Sequence, residues 1–223
     1  MKKALIFKEW IKTRMVFFIA LALALAVAAY AILMMNRLIE LKGVQHLWII
    51  MLLKDNSFID IIKYVPLAVG LAIGIAQMAP EMAQKRLKLT LHLPYPQGRL
   101  IALMLCTGLV ELLTVFALQA AIITVYDFSI MPSEMVWRVM LTALPWYFAG
   151  FTAYLFTTAI CLEGTWARRI ILGLIGIGTL MIFFLQPHPE AYNGMVLTMI
   201  IAIVLFSILS FGSVIRFKEG RQD

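Results

Sequence analysis

Long apolar runs separated by short polar stretches dominate the chain. Six runs approach the length a bilayer crossing needs: Met15–Met35, Ile61–Ala79, Leu100–Val125, Met140–Ile160, Ile170–Leu185 and Gly194–Val214. A helix rising about 1.5 Å per residue covers the hydrocarbon core in about 20 residues. The fifth run is short and borrows a residue or two at each end. None of the runs alternates as barrel strands do, and backbone groups in lipid must be satisfied within the segment, so each run predicts a helix. The fold class predicted is an all-α membrane protein of six transmembrane helices, forming one membrane domain over 1–223. A shorter apolar run, 44–53, lies between Asn36, Arg37, Glu40 and Lys42 on one side and Lys54, Asp55 and Asn56 on the other. It reads as an interfacial or re-entrant helix with Trp48 near the headgroups.

Before the first run, Ala4, Phe7, Trp10 and Ile11 recur at helical spacing, with Lys3, Lys8, Glu9 and Lys12 on the other side. Residues 1–14 therefore predict an amphipathic helix on the membrane surface, its lysines toward phosphates. A plain basic topogenic tail fits the same residues.

Composition strengthens the membrane reading. The chain is 63% hydrophobic and 14% charged, with a mean hydropathy of +0.93, whereas soluble domains are about half apolar and a quarter charged. The net charge of +7 is carried beside the apolar runs, which suits anionic lipid headgroups. No basic patch is interleaved with aromatics, so no nucleic-acid partner is expected. Lys2, Lys3, Lys8, Lys12 and Arg14 precede the first span. Lys85, Arg86, Lys88 and Arg99 follow the second, Arg168 and Arg169 the fourth, and Arg216, Lys218 and Arg221 the sixth. The positive-inside rule then places both termini in the cytoplasm.

Motifs for chemistry are missing. The sequence holds no HExxH, GxSxG or GxxxxGK[ST], and its three histidines, His46, His92 and His188, fall in different loops. Neither a catalytic residue nor a metal site is expected, and nothing here cradles a nucleotide phosphate. Cys106 and Cys161 lie inside apolar runs and read as small buried hydrophobes. Glu111 is eleven residues past Leu100, near mid-bilayer by helical rise, with Thr107 and Thr114 on its face. It fits a translocation path, and it fits equally a protonated carboxyl tying two helices. Gly70 and Gly74 form a GxxxG pair suited to close helix contact, within one subunit or between two.

The longest polar stretch, 81–100, reads EMAQKRLKLTLHLPYPQGRL. Pro80 and Pro94 bracket a helix of about three turns, while the alternating leucines also match a strand. Its basic and leucine-rich faces suit either a lipid surface or a cleft in a cytoplasmic partner.

With its KEWxKTR start, six spans and a basic loop after the second, the chain resembles the permease subunit of type 2 ABC transporters. The resemblance covers nearly the whole sequence. In the loop it rests on Glu81, Lys85, Arg86, Leu91, Leu93, Pro94 and Arg99, whereas the family's frequent Gly-Thr is replaced by Leu87 and Lys88. It implies that 81–94 is a coupling helix docked on a separate ATPase subunit. Residues 1–14, with Lys8, Glu9 and Trp10, become a connecting helix. Two ATPase subunits and a second permease copy or close homologue are the implied partners, alongside membrane lipids. The chain itself carries no cofactor; ATP and Mg belong to the ATPase. Gly70, Gly74 and Glu111 become candidates for the dimer interface or translocation path. An ATP-driven exporter of an unidentified substrate is thus expected. A membrane-embedded enzyme acting on lipid or peptide, or a non-transporting sensor subunit, is the alternative.

Overall fold

The computed structural model describes residues 2–43, 48, 58–83, 96–186 and 188–218. Six helices account for most of them: α1 Lys2–Lys42, α2 Val65–Ala83, α3 Gln97–Phe128, α4 Ser133–Leu162, α5 Trp166–Ile182 and α6 Val196–Lys218. Short 3-10 turns, Phe58–Ile62 and Asn193–Met195, lead into α2 and α6. Among the described residues there is no strand. Five of the helices are long and apolar enough to cross a membrane, and the protein is a multi-pass, all-helical membrane protein. The fifth helix, α5, has 17 residues, or about 26 Å, slightly under a full crossing.

The centre of the bundle is α4. Every residue from Thr152 to Ala159 is buried, so this stretch is covered on all sides, as a helix in the middle of a domain must be. Its largest contact is with α2, followed by α6 and α5. Close approach of α2 is made possible by glycine. A Cβ on Gly70 would overlap the Gly150 carbonyl oxygen, and one on Gly74 would come within 3.0 Å of the Thr157 side chain. The Gly70–Gly74 face is therefore filled by α4 of the same chain. It is a contact within the subunit and not a surface left open for a second copy or a substrate path.

On α1 the inward residues are Leu5, Glu9, Thr13, Phe17, Ala20, Ala24, Ala28, Ala31 and Met35. Four alanines on this stripe bring α3 near enough for buried Gln119 to donate to the Ala24 carbonyl at 3.0 Å. The helix is 41 residues long, or about 62 Å, roughly twice the hydrocarbon thickness. Two expectations change here. Residues 2–14 are not a separate surface helix but the first turns of the same rod as the first span. Their polar face also points into the bundle, with Glu9 and Thr13 buried, because α2 and α3 supply partners that lipid phosphates would otherwise provide.

At the end of the bundle away from the N-terminus, Met35, Ile59, Ile62, Met131, Met135 and Trp146 form a second apolar cluster. The loops there leave a cavity of about 290 Å³, lined among others by Asp60, Lys63, Thr142, Trp146, His188 and Glu190. Glu190 has a φ of 60°, a left-handed conformation uncommon outside glycine.

Candidate functional site

Where α1, α2, α3 and α4 meet near the N-terminal end, polar side chains replace the apolar core. Spacing explains how they converge. Glu9 and Thr13 are one helical turn apart on α1, and Gln77 and Glu81 one turn apart on α2, so the two groups of each pair lie on one face of their helix. At the hub sits the Lys12 ammonium. It lies 2.7 Å from Glu9 Oε2, 2.9 Å from Glu81 Oε1 and 3.3 Å from the Gln77 carbonyl. Three donors meet three acceptors, the full capacity of a lysine.

Gln77 extends the network. Its amide donates to Glu9 Oε2 at 3.0 Å and to the Met104 carbonyl at 2.8 Å. Its side-chain oxygen, Oε1, accepts the Tyr154 hydroxyl at 2.7 Å, while the oxygen facing Lys12 is that of its backbone. Lys8 gives Glu81 a second cation at 2.9 Å. Thr13 donates to Glu111 Oε1 at 2.6 Å. Gly108 leaves the room this requires, since a Cβ there would collide with the Tyr154 hydroxyl and come within 2.6 Å of Gln77 Oε1. Four helices are thereby tied by side chains that lipid or water would otherwise have to satisfy.

Three carboxyls share two ammonium groups. Glu9 and Glu81 are in direct contact with lysine, whereas Glu111 meets only a threonine hydroxyl among the described residues. The remaining oxygen of Glu111, Oε2, is buried without a hydrogen-bond partner among the described residues, as is Glu81 Oε2. Thr13, its partner, precedes the first apolar run, so Glu111 is level with the start of that run. The flanking threonines do not serve it. Thr107 and Thr114 donate to their own helix, to the Leu103 and Val110 carbonyls, each at 2.8 Å.

The other expected residues divide. Glu81 ends up in the last turn of α2, which runs through Pro80 to Ala83. It therefore does not open a separate helix, because Lys8 and Lys12 hold it against α1. Trp10 is half-buried and packs edge-on against Phe17, with ring centres 5.2 Å apart. Arg99 is exposed in the first turn of α3. Lys85, Arg86, Leu91, Leu93 and Pro94 lie outside the described residues, as do His46 and His92. Among the described residues, no three His, Cys, Asp or Glu side chains are grouped to hold a metal ion. Chemically, the cluster is a buried polar lock in which carboxyls face ammonium groups, an amide and hydroxyls, with one more acid than lysines.

A second lock at the same end was not anticipated. Glu163, capping α4, accepts Arg216 of α6 at 2.6 Å and Ser213 at 3.0 Å. Its backbone carbonyl accepts Arg169 of α5 at 2.8 Å. Burial alone would push the Glu163 carboxyl up; the guanidinium and the hydroxyl outweigh it and hold the group below its ordinary value. Since the folded value is the lower one, the lock stabilises the protein above the unfolded carboxyl range near 4.3. That contribution is lost as the pH falls through the folded value. Thermal melts in detergent at pH 7 and pH 4 should show a smaller acid-induced drop for Glu163→Gln than for the unmodified protein. Equal drops would mean that the pair contributes nothing.

Comparison with protein-family models, with curated proteins and with solved structures gives no match.

Proposed function

We propose that this chain is the membrane-spanning permease subunit of an ATP-driven exporter of the type 2 ABC class. In this reading it works as a pair of permeases on two separate ATPase subunits, which hold the ATP and Mg. The observation that carries the proposal is the charged lock at the base of the basic loop. Glu81, three residues before residue 84, is held by two ammonium groups of α1. On the loop's other side, Leu100, Ile101 and Met104 are buried in the core. A force on a loop rooted this way reaches four helices together instead of bending one, as rigid-body switching requires. Docking at Lys85 and Arg86 would supply orientation and charge matching, and the loop leucines apolar contact.

Topology supports the same reading. The helix α5 starts beside Glu163, through Arg169, and ends beside α2, where Phe184 packs on Tyr64 with ring centres 5.2 Å apart. In this reading α5, with its 17 residues, is taken as the sixth crossing. Both chain ends then lie on one side, the side with most of the Lys and Arg, which is the cytoplasm of a bacterial inner membrane.

An affinity-tagged chain expressed in its own host tests the proposal. An ABC-type ATPase should co-purify with it. Reversing the loop charges, Lys85→Glu with Arg86→Glu, should lower the recovered ATPase at least tenfold at unchanged chain yield. Absence of an ATPase from the unmodified preparation, or equal recovery with the reversed loop, would sink the proposal.

A further inference from the structure

Beside the buried lock runs an open groove between α1 and α3, of about 540 Å³ and almost wholly apolar. Ile6, Trp10 and Phe17 form one wall, and Leu103, Val110 and Glu111 the other. One carboxyl thus belongs to the wall of a groove that otherwise offers aliphatic and aromatic surface, the Cys106 thiol, and the Thr107 and Thr114 hydroxyls, which are already bonded to their own helix. It is 5% exposed, and its Oε2 has no donor among the described residues. A buried carboxylate oxygen without a donor is costly and is stabilised by any donor that reaches it.

Charge narrows the ligand. The cluster has three acids for two lysines, and the acid without a lysine contact is the one on the groove. Thr13 already satisfies Oε1. The terminal torsion of a glutamate is broad, so turning Oε2 toward the groove costs little. A cation seated there would also lie beside Trp10 and Phe17, whose ring faces attract positive charge. A neutral lipid tail would fill the volume and leave the oxygen unmet; a fatty acid would add a fourth acid.

We propose that the α1–α3 groove binds a single-chain apolar amine, its ammonium donating to Glu111 and its chain lying along Val110 and Phe17. The proposal stands on the groove alone and needs neither nucleotide nor an ATPase, so its failure would leave the transport reading untouched.

Radiolabelled dodecylamine is the probe, titrated against the full chain in lipid nanodiscs with empty nanodiscs subtracted. Saturable binding to one site per chain is expected, with dodecanol at least tenfold weaker. Glu111→Gln should weaken dodecylamine at least tenfold while its amide oxygen still accepts Thr13, so unchanged melting will show that the fold is intact. Val110→Trp should abolish binding by filling the groove. Val110 is 60% exposed, which leaves the core undisturbed. Binding that never saturates, dodecanol as tight as the amine, or full affinity in either variant would overturn the proposal. So would a change of oligomeric state in Val110→Trp, because the groove would then be a contact between copies.

Discussion

Lys12→Met is expected to destabilise the protein by about 3–5 kcal/mol, the range for removing one partner of a buried ion pair. Methionine is apolar and similar in length, so it fills the space without restoring the charge. Glu9 would be left facing only the Gln77 amide, and Glu81 would depend on Lys8, whose side chain is 34% exposed. Against a total stability of about 5–15 kcal/mol, such a loss removes a large share. The cost comes from stranding carboxylates, not from losing attraction, and this separates it from a packing defect. Adding Glu9→Gln to Lys12→Met removes the stranded charge and keeps an oxygen for Gln77. The double variant should recover about 2 kcal/mol, within the range of coupling between contacting residues. Denaturation in mixed micelles measures both. A single variant within about 0.5 kcal/mol of the unmodified protein would mean that the cluster is solvated, and the anchoring of the end of α2 on α1 would go with it.

The helical fold was legible because lipid allows a span few alternatives, and hydropathy alone places the apolar segments. Less legible was how each helix is turned about its axis. On α1, apolar residues lie on both faces, so the sequence pattern cannot say which face meets protein and which meets lipid. The small, alanine-rich stripe from Ala20 to Ala31 is the inward one, contrary to the soluble-protein habit of burying the largest residues. The same ambiguity sent the Lys8–Glu9–Lys12 face outward in the sequence reading. A usable signal was present, however. Glu9 with Thr13 and Gln77 with Glu81 are polar pairs at one-turn spacing near the ends of two apolar runs, and Glu111 is an isolated acid on a third helix; buried polar groups of this kind find one another. Tyr154 and Glu163 carried no such mark. Their roles depend on the path of α4 through the centre, which is set by long-range packing. The GxxxG pair signalled a close contact correctly, but nothing in the spacing tells whether the partner helix belongs to the same chain.

That question makes Gly70→Ala the second large effect, and its sign is instructive. In the middle of a helix, replacing glycine by alanine normally gains about 1 kcal/mol. At Gly173 and Gly178 on α5 a Cβ meets nothing within 4 Å, so alanine there should be neutral or mildly stabilising. At Gly70 the methyl would overlap the Gly150 carbonyl, a backbone atom that cannot rotate away as a side chain can. The same crossing is tight from the other side, where a Cβ on Gly150 would come within 2.7 Å of the Pro66 carbonyl. The helices α2 and α4 would have to separate along the largest contact in the bundle. Overpacking typically costs about 1–3 kcal/mol; without a flexible neighbour to yield, Gly70→Ala should lie at the upper end even after the helix gain. Gly74→Ala should cost less, since its obstacle is the Thr157 side chain. Unfolding in mixed micelles should therefore rank Gly70→Ala below Gly74→Ala, and both below Gly173→Ala. Cross-linking supplies the decisive contrast. If Gly70→Ala lowered the dimer fraction and left the unfolding of the single chain unchanged, the glycine face would lie between copies, and the α2–α4 crossing would not be what these glycines serve.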